Sequence, residues 1–211
     1  MTDALLEFAR LGVATVYEAA GRVGLIDVPL HRLVPASRVA GIARTVSCAQ
    51  GDNLMVHAVM ALAQPHDILV LTMPEAAPVA LVGDLLATQA RARGVAGMLI
   101  DAAVRDADEL SAMTDLPIWA RYLRASGATR TQTSALEAAV TIGGTLIRQG
   151  DLIVMDGDGA VAVANDRIQT VLEAARQRGA REAWLRAQFA AGTLSVDLYG
   201  LRDQLREHLP R

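Results

Sequence analysis

The chain has 211 residues, of which 52% are hydrophobic and 20% charged, and its formal net charge is -3. This composition excludes disorder as the main state, because disordered chains combine low hydrophobicity with high net charge. The slightly acidic balance argues against nucleic-acid binding, which needs a basic surface to neutralise phosphates. A single cysteine, Cys48, excludes an intramolecular disulfide and a zinc site built from several cysteines.

Targeting signals are not expected from the pattern of the chain. Residues 1–12 carry early acids and no long apolar run, which is unlike a signal peptide. No uncharged apolar stretch reaches the roughly 18 residues that a membrane span needs. We therefore expect a soluble, cytoplasmic protein that forms a single domain over residues 1–211, since no linker or low-complexity segment divides it.

Strand-like and helix-like segments alternate over the first part of the chain. Strands are predicted at 41–49, 67–73, 96–101 and 117–121. Helices are predicted at 53–64 (capped by Asp52 or Asn53), at 84–93 (ended by Gly94) and at 107–113. This β-α-β-α-β order predicts a layered α/β core with parallel strands.

The pattern changes after about residue 124. Short strands joined by glycine turns are predicted at 136–142, 146–148, 151–156 and 160–164. The stretch LIVMDGDGAVAVA predicts a hairpin whose turn lies at Asp156–Gly159, which we favour over a calcium loop because the other ligands of such a loop are missing. A long helix is predicted from Asn165 to Ala190.

The first candidate site is the start of the helix at 84–93. Gly83 is predicted to lie in a loop and Asp84 to open the helix. The first amides of a helix have no intrahelical partner and its dipole is positive there, so this end can hold a small carboxylate. The alternative is that Asp84 serves only as an N-cap.

A second candidate site, Arg105-Asp106, follows the strand predicted at 96–101. Ligands of α/β sheets usually bind beyond strand ends. A carboxylate there can ligate Mg²⁺ or Mn²⁺, and a guanidinium can clamp a carbonyl or carboxylate oxygen. The alternative is structural: Asp106 and Glu109 have the spacing of a capping box, and Arg105 is then an ordinary surface residue.

Other polar residues carry weaker signals. His57 lies in an apolar helix and is interpreted as a packing residue, and Cys48 as a buried structural thiol. His31, His66 and His208 show no metal-ligand spacing.

Three motifs together resemble a known family. They are GDLLA at 83–87, ARARGVAGMLIDAAVRD at 90–106 and QGDLIVMDGDGAVAV at 149–163. The chain resembles the 4-hydroxy-4-methyl-2-oxoglutarate and 4-carboxy-4-hydroxy-2-oxoadipate aldolases, whose fold is shared with the regulator of ribonuclease E activity. The resemblance implies a layered α/β/β/α sandwich with a mixed sheet and a long C-terminal helix.

The resemblance also implies residue roles. Asp106 would bind Mg²⁺ or Mn²⁺ directly, and Arg105 would bind substrate oxygens. Gly83, Asp84, Leu85 and Leu86 would form the turn whose amides hold the pyruvyl carboxylate, and Asp84 would hold metal-bound water. A carboxylate from a neighbouring subunit would hold further metal waters, and Glu182 is the best match in this sequence.

The function implied is that of a metal-dependent lyase releasing pyruvate from a small oxo-acid, as in aromatic degradation, with oxaloacetate decarboxylation as a side activity. Two alternatives remain. One is a non-catalytic inhibitor of ribonuclease E, against which the acid at Asp106 argues. The other is a metal-dependent enzyme of this fold that acts on another oxo-acid. The resemblance further implies a homotrimer or homohexamer with sites at subunit interfaces. The charge balance and the lack of a long apolar stretch predict neither a nucleic acid nor a membrane as partner.

Overall fold

The computed structural model describes residues 2–208, which form two compact units that divide after Ala175. The helices are α1 (Thr2–Ala19), α2 (Leu54–Leu62), α3 (Asp84–Ala92), α4 (Ala107–Ala112), α5 (Ile168–Ala190) and α6 (Ser195–Leu198). The strands are β1 (His31–Arg32), β2 (Val39–Ser47), β3 (Asp67–Thr72), β4 (Ala80–Val82), β5 (Gly97–Val104), β6 (Ile118–Leu123), β7 (Ala135–Leu136), β8 (Val140–Ile142), β9 (Thr145–Ile147), β10 (Leu152–Asp156) and β11 (Gly159–Val163). This is the mixed α/β fold with a long C-terminal helix that the sequence predicts.

Within residues 2–208, nine strands form one mixed sheet in the order β1-β6-β5-β3-β2-β10-β11, with β4 paired to β5 and β7 to β2. The centre is parallel: β2 pairs with β3, β3 with β5, and β5 with both β4 and β6. Strands β1, β7, β10 and β11 are antiparallel to their neighbours. The parallel strands all end at one edge of the sheet, which is where ligands of α/β sheets bind.

The parallel strands are buried because side chains cover both faces of the sheet. Every residue of β3 and β5 is buried, which explains their almost continuous apolar sequences. One face packs against α2, α3 and α4, through residues such as Val59, Ala87 and Leu110. The other face packs against the separate β8–β9 hairpin, through Val140 and Ile142.

The predicted hairpin at Asp156–Gly159 is confirmed. The two residues pair across β10 and β11, and the Asp158 amide donates to Asp156 Oδ1 at 2.9 Å. Asp156 Oδ2 accepts from the Val13 amide at 2.9 Å, so this carboxylate ties the hairpin to α1. A calcium loop would need these oxygens for the ion.

Several elements differ from the prediction: α1, β1, β4 and α6 were not expected, the strand predicted at 136–142 is divided into β7 and β8, and β5 is longer. Helix α1 was not expected, because Gly12 interrupts its pattern with a non-helical backbone at φ 81°. The short strand β4 was not expected either. Strand β5 continues three residues beyond Asp101, through an irregularity between Ile100 and Ala103, and ends directly before Arg105.

The unit from Arg176 onward contains the rest of α5, together with α6. Its side chains include exposed apolar groups, notably Trp184 (54% exposed) and Leu194 (56%). Phe189 and Tyr199 make an edge-to-face contact with ring centroids 6.3 Å apart. Over residues 2–208, no helix is both long and apolar enough to cross a bilayer.

Candidate active site

The two candidate segments of the sequence meet at the carboxyl edge of the sheet. Strand β4 leads into Gly83 and Asp84, and the parallel strand β5 leads into Arg105 and Asp106. The Arg105 amide donates to Val82 O at 3.1 Å, which fixes the two strand ends side by side. The structure therefore brings together residues that are more than twenty positions apart in the sequence.

Helix α3 opens towards this edge with free amides. Gly83 is the N-cap residue, in an extended conformation, and Asp84 is the first helical residue, so the interpretation of Asp84 as an N-cap is wrong. The Ala87 amide donates to Gly83 O at 3.1 Å as the first bond of the helix. The Leu85 and Leu86 amides precede that bond, so they are available to an anion at the positive end of the helix dipole.

The carboxylate of Asp106 points towards α3 rather than capping α4. Its Oδ2 accepts from the Asp84 amide at 3.1 Å and lies 3.6 Å from Arg105 Nε. Asp106 has a left-handed backbone, φ 57° and ψ 45°, and makes no capping hydrogen bond to α4. The capping-box interpretation with Glu109 is therefore wrong, since a capping residue has an extended backbone. In the described part of the chain, Asp106 Oδ1 has no hydrogen-bond partner.

Two glycines make room for the Arg105 guanidinium. A Cβ on Gly83 would lie 2.4 Å from Asp106 Oδ2 and 3.0 Å from Arg105 Nε. A Cβ on Gly127 would lie 2.8 Å from Arg105 Nη1. A side chain at either position would require the Arg105 or Asp106 side chain to shift, so close approach rather than backbone angle accounts for both glycines.

A pocket of ≈ 120 Å³ opens beside Arg105. This volume suits a small metabolite and is far below that of a drug-sized site. The pocket is lined by Asn53, His57, Ala80, Leu81, Val82, Gly83, Asp84, Leu85, Leu86, Arg105, Ala128 and Arg130. All of the predicted substrate-binding residues line it.

Asn53 and His57 are pocket residues that the sequence did not reveal as such. Asn53 is 9% exposed, and its Nδ2 donates to Leu81 O at 3.0 Å. Its Oδ1 is buried without a hydrogen-bond partner among residues 2–208, so it offers an acceptor to a ligand. His57 is exposed and lines the pocket, so its interpretation as a packing residue is wrong. The available signal was their spacing of four, which places His57 one helical turn after Asn53, the N-cap residue of α2.

The donor set at this edge fits a magnesium-like cation. Asp106 Oδ1 and the Asp84 carboxylate are oxygen donors, and Mg²⁺ takes only one or two protein carboxylates because it retains several waters. For the chain from residue 2 to residue 208, no cluster of three or more His, Cys, Asp or Glu side chains could hold a metal. The site therefore differs from a closed zinc centre, which needs four such ligands.

The remaining candidates lie elsewhere. Glu182 lies on α5 in the C-terminal unit, where its Oε1 is 2.8 Å from Arg178 Nε. Cys48 is buried directly after β2, and burial, reinforced by the nearby Asp52 charge, raises the pKa of its thiol to about 12. The thiol is therefore protonated at neutral pH, as expected for a structural cysteine.

Comparison with known proteins identifies the family. The model of the RraA-like family, described as Aldolase/RraA, matches residues 13–162. The chain belongs to this family, which joins aldolases and regulators of ribonuclease E on one fold.

Individual relatives come from both branches of the family. The chain is 27% identical over 197 residues to a Halalkalibacterium halodurans protein named "Putative 4-hydroxy-4-methyl-2-oxoglutarate aldolase", covering 93% of each chain. It is similar to a Pseudomonas syringae pv. tomato protein of known structure (25% identity, TM-score 0.81, 92% and 95% coverage). It is also similar to Streptomyces coelicolor RraAS2, described as an unusual member of the RNase ES inhibitor RraA family (26% identity, TM-score 0.78, 89% and 98% coverage).

Proposed function

We propose that this protein is a divalent-metal-dependent carbon–carbon lyase that releases pyruvate from 4-carboxy-4-hydroxy-2-oxoadipate or 4-hydroxy-4-methyl-2-oxoglutarate. One observation carries the proposal. The Arg105 guanidinium and the free amides of α3 line a single small pocket, and the Asp106 carboxylate, which accepts from the Asp84 amide, lies beside it. The name of the H. halodurans relative supports the same chemistry.

In this proposal, the pyruvyl end of the substrate binds between α3 and Arg105. The Leu85 and Leu86 amides receive its carboxylate at the positive end of α3. Arg105 faces the keto oxygen, on which negative charge develops during the reaction. The guanidinium lies beside Asp106 Oδ2 in the space that Gly83 and Gly127 leave open, so little reorganisation is needed at the moment of bond cleavage.

A bound Mg²⁺ or Mn²⁺ supplies Lewis-acid stabilisation of the charge on the substrate's keto oxygen. Asp106 would hold this cation directly through Oδ1, since Oδ2 is already engaged by the Asp84 amide. Asp84 would hold it through water.

Cleavage breaks the C3–C4 bond. Its electron pair stays on the pyruvate fragment as an enolate, whose oxygen Arg105 stabilises. The C4 hydroxyl loses its proton and becomes the carbonyl of the second product, and the Asp84 carboxylate takes that proton through a water. Protonation of C3 then yields pyruvate, and the second product is oxaloacetate or another pyruvate, depending on the substrate. Loss of CO₂ from oxaloacetate leaves the same enolate, so this decarboxylation is expected as a side activity.

The first experiment measures pyruvate release from oxaloacetate by metal-stripped protein, with and without Mg²⁺ or Mn²⁺, beside an Asp106→Ala variant. The expected result is metal-dependent release that the variant lacks. Exchange of the pyruvate methyl protons in D₂O, followed by NMR, tests enolate formation without the second half of the substrate. A folded protein that shows neither activity would refute the proposal.

The similarity to RraAS2 supports a second candidate, a binding protein that inhibits ribonuclease E. The two candidates differ in what Asp106 does. An inhibitor without catalysis would bind the ribonuclease equally well after Asp106→Ala, whereas the lyase would lose its activity.

We also propose that the protein assembles as a homotrimer or homohexamer in which Glu182 of a neighbouring subunit reaches the metal waters. The exposed Trp184 and Leu194 of the C-terminal unit support burial of this segment in an assembly. Light scattering of the purified protein tests the assembly, and a monomer would refute it.

A further inference from the structure

The segment 126–132, here called the strap, leaves the sheet at the same edge as the candidate site. It follows β6, which is parallel to β5. The Ala80 amide donates to Ser126 O at 2.7 Å, and the Ala128 amide donates to Ala80 O at 3.2 Å. The strap therefore runs beside β4, to which it is joined by an isolated parallel bridge between Ala80 and Gly127, and it places Gly127 against Arg105.

Asp52 fixes the strap on both sides of Arg130. Asp52 Oδ2 accepts from Thr129 Oγ1 and from the Thr131 amide, each at 2.7 Å, and from the Gln132 amide at 3.3 Å. The backbone adds bonds from the Asn53 amide to Thr129 O and from the Thr129 amide to Gly51 O. Position 130 therefore has a fixed backbone, although it lies in a loop.

The Arg130 side chain is exposed, lines the pocket and makes no ion pair or hydrogen bond to any residue between 2 and 208. Other arginines of the chain, such as Arg44, Arg91 and Arg121, pair with carboxylates. The pocket lining thus carries two guanidiniums, those of Arg105 and Arg130, and a single carboxylate, that of Asp84. This charge balance suits a ligand with two negative groups.

We infer that Arg130 determines specificity by binding the second carboxylate of the substrate, the one beyond the bond that is cleaved. The inference rests on the proposed function, in which Arg105 and the start of α3 take the pyruvyl end. Arg130 then carries the remaining guanidinium of the lining, and a guanidinium binds a carboxylate through two parallel hydrogen bonds. Asp52 acts as a positioning residue, because it holds the strap on which Arg130 lies.

Two unreactive ligands test the inference by equilibrium binding. 2-Oxoglutarate and 2-oxopentanoate share the 2-oxo acid end, and differ only in a carboxylate or a methyl group at C5. Calorimetry in the presence of Mg²⁺ is expected to show that the wild-type protein binds 2-oxoglutarate at least about tenfold more tightly. In Arg130→Ala this preference is expected to fall below about threefold, mainly through weaker binding of 2-oxoglutarate.

A matched pair of substrates extends the test to cleavage. 4-Hydroxy-4-methyl-2-oxoglutarate and 4-hydroxy-2-oxopentanoate differ by one carboxylate on C4. Arg130→Ala is expected to lower kcat/KM for the first by about 10- to 100-fold and for the second much less. Arg148→Ala is the control, because Arg148 is exposed and lies outside this pocket.

The outcomes separate this inference from the proposed function. A preference for 2-oxoglutarate that survives in Arg130→Ala would overturn the inference. So would loss of the preference in Arg124→Ala instead, since Arg124 lies on the other side of Arg105, next to Asp106. Absence of pyruvate methyl exchange in the wild-type protein would overturn the proposed function. The relative affinities for 2-oxoglutarate and 2-oxopentanoate would still report whether Arg130 recognises the second carboxylate.

Discussion

Asp52 and Asp106 are two aspartates that follow parallel strands at the same edge of the sheet, and their carboxylates are used in opposite ways. Asp52 is fully buried, and its oxygens accept from Leu54, Thr129, Thr131 and Gln132. Asp106 has a side chain that is 35% exposed and one oxygen without a partner in the described chain.

The pKa of Asp52 reflects this difference. Burial alone would raise the pKa of its carboxyl, but hydrogen bonds from the Leu54 and Thr131 amides and the Thr129 hydroxyl hold it well below its usual range. Asp52 is therefore ionised at neutral pH, and its carboxylate is stabilised by hydrogen-bond donors of the chain itself. An aspartate serves the fold when its acceptors are saturated and can serve a ligand when one oxygen remains open.

Replacing Asp106 should give the largest effect on activity. Asp106→Asn keeps the shape and the left-handed backbone but removes the charge, so kcat/KM for oxo-acid cleavage is expected to fall by about 10³-fold or more. Because no cap is lost, Tm should stay within about 2 °C of the wild-type value. Steady-state kinetics and calorimetry check both statements. A large drop in Tm would mean that Asp106 belongs with Asp52 as a structural residue.

Arg105→Lys is the next test, since it changes the partner of the open carboxylate. An ammonium keeps the charge but lacks the planar fork of donors, so a loss of about 10²-fold in kcat/KM is expected. Pyruvate methyl exchange should fall in parallel, because Arg105 is proposed to face the keto oxygen of pyruvate. Equal rates for the variant and the wild-type protein would remove Arg105 from the site.

Asp52→Asn should have the opposite effects to Asp106→Asn, with a large loss of stability and a moderate loss of activity. The amide cannot accept all the bonds that reach Oδ2, so Tm is expected to fall by roughly 5–10 °C at pH 7. KM for a dicarboxylic substrate should rise by about threefold to tenfold, because the strap loosens. Unchanged Tm and KM would show that the strap is held by its backbone bonds alone.

The Tm difference between the wild-type protein and Asp52→Asn is expected to change with pH in one direction. A carboxyl whose pKa is lower in the folded than in the unfolded state stabilises the fold above its unfolded pKa of about 3.9. That contribution is lost as the pH falls through the folded value. The Tm difference between wild type and Asp52→Asn is therefore expected to be constant near neutral pH and to shrink below about pH 4. A difference that grows in acid would contradict the argument.

Glu182→Ala should have the smallest effect. Glu182 is proposed to act only through water, and its pairing with Arg178 is an exposed contact of little energetic value. Metal affinity is expected to fall by about threefold to tenfold, with the fold and the assembly unchanged. Titration of metal-stripped protein with Mn²⁺ measures this, and unchanged affinity would exclude the role.

The parallel core could be predicted from the sequence because its signals are local. The apolar runs at β3 and β5 and the stop at Gly94 each fall within a short window. Strand β4 was missed because a strand of only three residues is too short to show a periodicity. Helix α1 was missed because Gly12 breaks its pattern.

The site was only partly predictable because its key contacts are distant in the sequence. The Asp106 carboxylate meets an amide 22 positions away, so its local spacing to Glu109 was misleading. The strap depends on hydrogen bonds that it donates to Asp52 across 77 to 80 positions of the sequence, and nothing near Arg130 reveals them. The resemblance to the aldolases named Arg105 and Asp106, but the pocket residues Asn53, His57 and Arg130 emerged only from the fold.

The left-handed backbone of Asp106 also restricts how this position can evolve. Asparagine and glycine tolerate that conformation as well as aspartate does, whereas most other residues are strained by on the order of 1 kcal/mol or more. Both tolerated replacements are one nucleotide away from an aspartate codon, and both remove the charge. If Asp106 has the proposed role, a lineage with this fold can therefore lose lyase chemistry in a single step while keeping a folded surface available for selection as a binding protein.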